Sequence, residues 1–259
     1  MTWQVFALRF AENTGRKRYQ HFMGIEADPH DAPHPLVFYL WAARHADGRA
    51  VVVDTGFTRS RAAARGHTLF HEPQQALARI GIDADAVSDV VISHFHWDHA
   101  GGAEKFPHAR FHVQAAEMAY ATGPCMCFPH LRRPFACEDV TLLLQHLYAD
   151  RVVFHDGDAE ILPGVRLERF GGHSAGLMGV EIAAEAGRVV LASDAAHFYE
   201  TMEGKPFPIV HDMPAALAAH ARLRALRDAG AVVVPGHDPL VMEKFPAVPG
   251  AEGIAVRLG

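Results

Sequence analysis

Four side chains able to bind a metal ion fall within six consecutive positions of this chain. They are His94, His96, Asp98 and His99 in the run Ser93-His94-Phe95-His96-Trp97-Asp98-His99-Ala100-Gly101-Gly102. Neutral imidazole and carboxylate are donors that zinc and neighbouring transition ions accept, so this density of ligands on one turn points to two adjacent ions. The run follows Val90-Val91-Ile92, which reads as a short buried strand. Side chains alternate along an extended segment, so His94 and His96 project one way and Phe95 the other. Asp98 and His99 then lie on the turn, and Gly101-Gly102 gives the chain a permissive exit.

Three more ligand candidates close other apolar runs. His173 stands among glycines in Phe170-Gly171-Gly172-His173-Ser174-Ala175-Gly176, Asp194 ends Val189-Val190-Leu191-Ala192-Ser193-Asp194, and His237 ends Ala231-Val232-Val233-Val234-Pro235-Gly236-His237. Ligands carried on loops at strand ends are how a rigid sheet positions a metal site. The elements that must do this positioning are strands expected at residues 4–9, 36–43, 50–54, 89–92, 110–113, 151–154, 165–170, 179–182, 189–192 and 231–234. Helices are expected at residues 73–80, 115–120 and 214–229; in the last, Met213-Pro214 opens the helix and Gly230 closes it. Residues 10–35 and 122–145 fit neither period and are expected to be loops bordering the site. In the second loop Phe128, His130, Leu131 and Phe135 offer an apolar wall, and Arg132 and Arg133 offer guanidinium groups to a substrate carboxylate. Of the 19 histidines, His67, His71, His108, His112, His146, His155, His211 and His220 have no ligand spacing and are left outside the site.

The order His94-x-His96-x-Asp98-His99, then His173, Asp194 and His237, resembles the metallo-beta-lactamase superfamily over nearly the whole chain. Val52-Val53-Asp54-Thr55-Gly56 also matches that family's first turn, where an aspartate buttresses the metal loop. The resemblance implies an α/β fold of αββα type, two mixed sheets packed face to face and flanked by helices, in one domain over residues 1–259. The alternation of strand-like and helical stretches supports this independently. It further implies two divalent metal ions, zinc foremost, with His94, His96 and His173 on one, Asp98, His99 and His237 on the other, and Asp194 bridging.

Within the superfamily, Gly171-Gly172-His173-Ser174-Ala175-Gly176-Leu177, Ser193-Asp194-Ala195-Ala196-His197-Phe198-Tyr199 and Pro235-Gly236-His237-Asp238-Pro239 look most like the lactonase branch, which includes N-acyl homoserine lactonases and 4-pyridoxolactonase. One position departs. Quorum-quenching lactonases carry a tyrosine three residues after the bridging aspartate, whereas this chain has His197 there and Tyr199 two residues later. Both are therefore candidates to contact a substrate carbonyl. The reaction implied is the opening of a lactone by water activated between two ions, with Asp98 moving the proton to the leaving oxygen. A compact aromatic lactone or an acyl homoserine lactone is the expected substrate. The alternatives are a thioester hydrolase of the glyoxalase II kind, for which a helical domain after the last ligand is expected, and a metal-binding protein without catalysis, for which a missing ligand is expected.

Composition bounds the rest. The chain has 259 residues, 49% of them hydrophobic, enough for one large core. Lys+Arg 24 against Asp+Glu 30 gives a net charge of -6, which argues against a nucleic-acid partner. The first nine residues lack a basic segment followed by a long apolar run, so neither a signal peptide nor a membrane partner is expected. Cys125, Cys127 and Cys137 are an odd set, which fits reduced thiols and a cytoplasmic location. The expected partner is a small-molecule lactone, and a homo-oligomer is compatible with this reading.

Overall fold

The pairing of β1 (Trp3–Asn13) with β2 (Leu36–His45) frames the structure, a computed structural model that describes residues 2–23 and 30–259. Along both strands the side chains alternate between two buried faces. Val5, Ala7, Val37, Tyr39 and Trp41 enter one core, while Phe6, Leu8, Phe10, Phe38 and Leu40 enter another. Strands covered on both faces read as continuous apolar runs, which is why these two stand out in the sequence.

The remaining strands are β3 (Ala50–Val53), β4 (Gly56–Phe57), β5 (Thr68–Leu69), β6 (Asp89–Val91), β7 (Arg110–Gln114), β8 (Val152–His155), β9 (Ala159–Leu162), β10 (Val165–Arg169), β11 (Met178–Ala184), β12 (Gly187–Ser193), β13 (Val232–Pro235) and β14 (Ala255–Arg257). From β2 the sheet continues antiparallel to β3 and then parallel through β6, β7 and β8. On the other side β10, β11 and β12 pair antiparallel, and β13 adds parallel to β12. The helices are α1 (Arg59–Arg65), α2 (Pro73–Ala78), α3 (Trp97–Ala100), α4 (Ala115–Ala121), α5 (Pro129–Arg132), α6 (Cys137–Tyr148), α7 (Tyr199–Met202), α8 (Met213–Asp228) and α9 (Val241–Lys244). Among the described residues, no helix is long and apolar enough to cross a membrane.

Three apolar layers give the expected αββα order. One holds Ala76 and Leu77 of α2 and Val140 and Leu143 of α6 against Val52, Val90 and Phe111. The central layer lies between the two halves of the sheet and contains Trp3, Trp41, Val51, Leu167, Val180 and Leu191. The third packs Ala219 and Leu223 of α8 on Val190 and Val233. The two halves stay joined at one edge, because β1 pairs with β11 at the single register Trp3↔Ala184. The central layer, rather than this one contact, holds them face to face.

Two expectations about loops are corrected. The stretch 122–145 is mostly helical, comprising a 3-10 turn Pro124–Cys127, then α5 and most of α6. α6 begins at Cys137 with Glu138 and Asp139 in its first turn, where carboxylates meet the positive helix end. It buries Val140 and Leu143, three positions apart on one face. In the stretch 10–35, β1 runs on to Asn13 and a 3-10 turn covers Arg18–Gln20; residues 24–29 lie outside the described residues.

Leu191, 1% exposed in the central layer, and Leu217, 45% exposed on α8, separate core from surface. Leu191→Ala is expected to lower unfolding free energy by about 2–5 kcal/mol through loss of burial and a residual cavity. Leu217→Ala is expected to stay within about 0.5 kcal/mol of the parent. Urea unfolding of the two variants measures the difference, and equal losses would remove the central layer from its dominant place.

Candidate metal centre

His94 and His96 leave the end of β6, Asp98 and His99 ride on α3, His173 lies between β10 and β11, Asp194 follows β12, and His237 follows β13. Both halves of the sheet thus deliver ligands to one seam. Donor atoms of His94, His96, His173 and Asp194 form one group and those of Asp98, His99 and His237 a second, each group lying within 4.8 Å. Asp194 joins them. Its Oδ2 lies 3.7 Å from His94 Nε2 and 3.2 Å from His173 Nε2, while its Oδ1 lies 3.3 Å from His99 Nε2 and 3.0 Å from His237 Nε2. Asp98 Oδ2 stands 3.8 Å from both His99 Nε2 and His237 Nε2. All seven residues proposed as ligands meet here.

Close backbone approach shapes this seam. A Cβ at Gly236 would fall 2.7 Å from Asp194 Oδ1, so only glycine lets the β13 loop pass. Gly172 holds φ +83 and a Cβ there would sit 2.5 Å from the Ala216 backbone, which lets the His173 loop lie against α8.

Hydrogen bonds behind the ligands set their tautomers. Asp54, held at φ 63, accepts from Ser93 N (2.7 Å), Ser93 Oγ (2.9 Å) and His99 Nδ1 (2.7 Å). Since Ser93 Oγ donates to Asp54, it accepts from His94 Nδ1 (3.0 Å) and from Ser193 Oγ (2.8 Å). His237 Nδ1 donates to the Val37 carbonyl at 2.8 Å. His94, His99 and His237 therefore each turn an Nε2 lone pair toward Asp194. The buttress expected of Asp54 is present.

The donor set fits a pair of cations. His94 Nε2, His99 Nε2 and Asp194 Oδ1 are buried without a hydrogen-bond partner, and each such group costs about 1–3 kcal/mol unless an ion or donor meets it. Burial and neighbouring imidazoles hold His94 and His96 well below the usual histidine pKa, in the neutral form a metal needs. Burial also pushes His99 and His237 down, yet the carboxylates of Asp194 and Asp98, with Asp54 at His99, outweigh it and raise both. Burial works against the Asp194 carboxylate, but His197, His237 and His99 hold its pKa well below the ordinary range. The carboxylates demand positive charge at this spot, and two divalent ions would supply it.

His197 and Tyr199 separate clearly. The His197 Nε2 lies 3.0 Å from Asp194 Oδ2, and its ring stacks on Phe207 at 3.6 Å and 9°. Burial, reinforced by His173 and His237 against Asp194, pushes His197 down to about 3. Tyr199 instead starts α7, donates its backbone N–H to Asp238 and carries Lys244 Nζ 5.0 Å from its ring centre. Around the site, Phe135 packs edge-on against His96 at 4.8 Å. His130 and Leu131 line a depression with Tyr120, Ile209, Val210 and His211 beside His96 and His173. Phe128 is 62% exposed, and Arg132 donates to the Met126 carbonyl at 3.0 Å, so neither reaches that depression. Arg133 is exposed.

Glu117 was not foreseen. Fully buried on α4, it accepts from Phe95 N (3.0 Å) with Oε1 and from Ser174 Oγ (2.7 Å) and Gly176 N (2.8 Å) with Oε2. It thereby ties the His94–Phe95–His96 segment to the His173 loop. Burial raises its pKa while the three donors pull it back. The sequence signal was a carboxylate on the same face as Tyr120 and Ala121, both buried. His211 and Phe207 at the rim were also missed, the first because it was set aside for lack of ligand spacing.

Glu117→Gln offers one acceptor oxygen and an amide N–H₂ to three donors, two of them backbone N–H groups that cannot reverse. Zinc affinity is expected to fall about 10–100-fold and stability by about 1–3 kcal/mol. Competition with a chelator and urea unfolding measure these effects; unchanged zinc affinity would remove Glu117 from the support of the centre.

The metallo-beta-lactamase superfamily matches residues 34–237. The N-acyl homoserine lactonase AiiA of Bacillus thuringiensis subsp. kurstaki is 30% identical over 164 residues, which are 62% of this chain and 60% of the relative, so the match spans about three fifths of that protein's length. The N-acyl homoserine lactonase AttM of Azorhizobium caulinodans is 27% identical over 234 residues, covering 83% of this chain and 86% of the relative. A solved N-acyl homoserine lactone hydrolase, with the product N-hexanoyl-L-homoserine bound at its catalytic metal centre, superposes with a TM-score of 0.78 at 23% identity over 96% of this chain and 99% of that one. At that identity the likeness is one of fold. With the family matched across the whole ligand-bearing region and the αββα layers in place, this chain belongs to the metallo-beta-lactamase superfamily.

Proposed function

We propose that this chain acts as a single-domain, dinuclear metal-dependent lactonase, with zinc as its metal. The observation that carries this reading is the division of Asp194: one oxygen faces His94 and His173, and the other faces His99 and His237. His94, His96 and His173 would hold one ion, Asp98, His99 and His237 the other, and Asp194 both. Such a pair supplies Lewis acidity to an ester carbonyl and lowers the pKa of water toward neutrality. Lactones are the favoured substrates because the relatives AiiA and AttM are named lactonases. Cys125, Cys127 and Cys137 are free thiols, which suits a cytoplasmic setting.

The chain's own groups then have distinct tasks. His197 lies against the lactone, its ring plane fixed by the stack on Phe207 and its Nε2 set 3.0 Å from Asp194 Oδ2. Asp98 carries the proton to the leaving ring oxygen, since its side chain is 13% exposed while those of His94, His99, His173, Asp194 and His237 are at most 5% exposed. Leu131, Tyr120, Ile209 and Val210 give the ring an apolar seat and exclude water.

Metal analysis and proton release over lactones, esters and thioesters test the reading together. Two zinc ions per chain and turnover of lactones are expected, whereas turnover of thioesters alone would overturn it. Asp194→Ala is expected to lose metal and to reduce hydrolysis on the order of a thousandfold, because the shared anion between two cations is gone.

His197→Ala is expected to lower kcat about 10–100-fold through loss of the imidazole that meets Asp194 and the substrate. Tyr199→Phe is expected to change it less than about twofold. The reverse order in steady-state kinetics would make Tyr199 the donor.

A further inference from the structure

Glu117 and Tyr120 stand three positions apart on α4, on one helical face. Glu117 fastens that face to the ligand-bearing loops, accepting from Phe95 N on one side and from Ser174 Oγ and Gly176 N on the other. Tyr120 is therefore carried by an element tied directly to the segments that hold His94, His96 and His173. Its ring packs on Phe135 at 5.6 Å and 73° and on His211 at 4.5 Å and 57°. Both neighbours touch the centre in turn. Phe135 meets the His96 ring at 4.8 Å, and the His211 backbone N–H donates to the His173 carbonyl at 3.2 Å. Tyr120 lines the depression together with His96 and His173, whose facing nitrogens, Nδ1 and Nε2, stand 2.9 Å apart.

Tyr120 is 8% exposed, and among the described residues its hydroxyl has no hydrogen-bond partner. A tyrosine hydroxyl placed this deeply ordinarily finds one, because leaving it unpaired costs free energy. Burial, with Cys125 and Glu117 adding to it, pushes the hydroxyl up to about 12, so it keeps its proton and is available as a donor. Other donors around the ligands are committed. His197 Nε2 lies 3.0 Å from Asp194 Oδ2, His99 Nδ1 bonds Asp54, and His237 Nδ1 bonds the Val37 carbonyl. Tyr199 heads α7 with Lys244 over its ring and does not line the depression.

We propose that the Tyr120 hydroxyl is a catalytic hydrogen-bond donor to the carbonyl oxygen of the lactone, on the His96 and His173 side of the centre. This rests on the lactonase reading and adds a residue to it. The carbonyl and ring oxygens of a lactone diverge from one carbon. Asp98, which serves the ring oxygen, stands 3.8 Å from His99 Nε2 and His237 Nε2, the pair that faces Asp194 Oδ1. A ring oxygen directed there turns the carbonyl oxygen toward the Oδ2 side, where His173 and the Tyr120 depression lie. As the oxygen of water bonds to the carbonyl carbon, the π pair moves onto the carbonyl oxygen, and a donor set there in advance stabilises that charge. Tyr120 keeps its proton throughout. The pair returns to re-form the carbonyl as the bond to the ring oxygen breaks, and the proton from water reaches that oxygen by way of Asp98.

The experiment compares the zinc-loaded parent and Tyr120→Phe on phthalide, a compact lactone, with zinc content and urea midpoint measured for both. The variant is expected to lose about 10–100-fold in kcat with KM within about threefold, at full zinc content and an unchanged midpoint. Unchanged kcat, a loss confined to KM, or a loss that follows lost zinc overturns the assignment. Calorimetric titration with isoindolin-1-one and with phthalan needs no turnover: the first is the lactam analogue with the same carbonyl oxygen, and the second is the cyclic ether with none. Tyr120→Phe is expected to weaken the lactam about 3–10-fold and to leave the ether unchanged. If the parent opens no lactone, the lactonase reading fails, while that selective weakening still supports the donor. Lactam affinity equal in parent and variant, or absent in the parent, overturns it whatever the turnover.

Discussion

A carboxylate buried at the seam of two half-sheets and surrounded by imidazoles is the constraint on which this structure turns. Asp194 is 5% exposed, and His94, His99, His173, His197 and His237 all approach it within 3.7 Å. A charge in that position is tolerable only where opposite charge and hydrogen bonds meet both oxygens. The fold answers by bringing strand ends from both halves to the same place. β6 supplies neutral histidines, and β12 and β13 supply the carboxylate and the histidine that follows it in space. The glycine at 236 is the local cost of that meeting, because the β13 loop must run against an oxygen of Asp194.

Two further carboxylates stand behind the ligands and do different work. Asp54 gathers Ser93 and His99, so that one residue sets the orientation of His99 directly and of His94 through Ser93. Glu117 works across the seam and fixes the spacing between the β6 loop and the His173 loop. Such partners determine ligand orientation and basicity as much as the ligands themselves. They also explain how the loops can hold glycines at 171, 172 and 176 and still be rigid: the His173 loop is pinned by a buried acid rather than by its own backbone preferences.

The legibility of these features in the sequence followed their locality. His94 and His96 were readable because a two-residue period on a strand puts both on one face, and Asp194 and His237 because each ends an apolar run. β1 and β2 were readable because burial of both faces leaves an unbroken apolar stretch. α6 was not, since its apolar positions Val140, Leu143 and Leu144 share the helix with polar residues and follow a Pro- and Cys-rich segment that reads as irregular. Glu117 was hidden for a different reason. Its three partners lie 22, 57 and 59 positions away, so nothing near it in the chain marks it as a tether. The pair Arg132-Arg133 was legible only as a pair; the structure turns Arg132 to the Met126 carbonyl and leaves Arg133 exposed.

The His197 side of the centre is closed by packing and an ion pair. On the His197 side, Phe198 is fully buried against His34 at 4.5 Å, His21 at 4.8 Å and Phe22 at 5.6 Å. Arg18 clasps both oxygens of Glu200 at 2.9 and 2.8 Å, and the Met23 N–H donates to the Pro206 carbonyl at 2.9 Å, so the segment after β1 is fastened across the loop that carries His197 and Phe207. The Arg18 guanidinium, with Lys205, holds Glu200 down at about 2, which keeps the clasp charged in all but strongly acidic solution. Entry from that side would require breaking a bidentate pair and an aromatic cluster together.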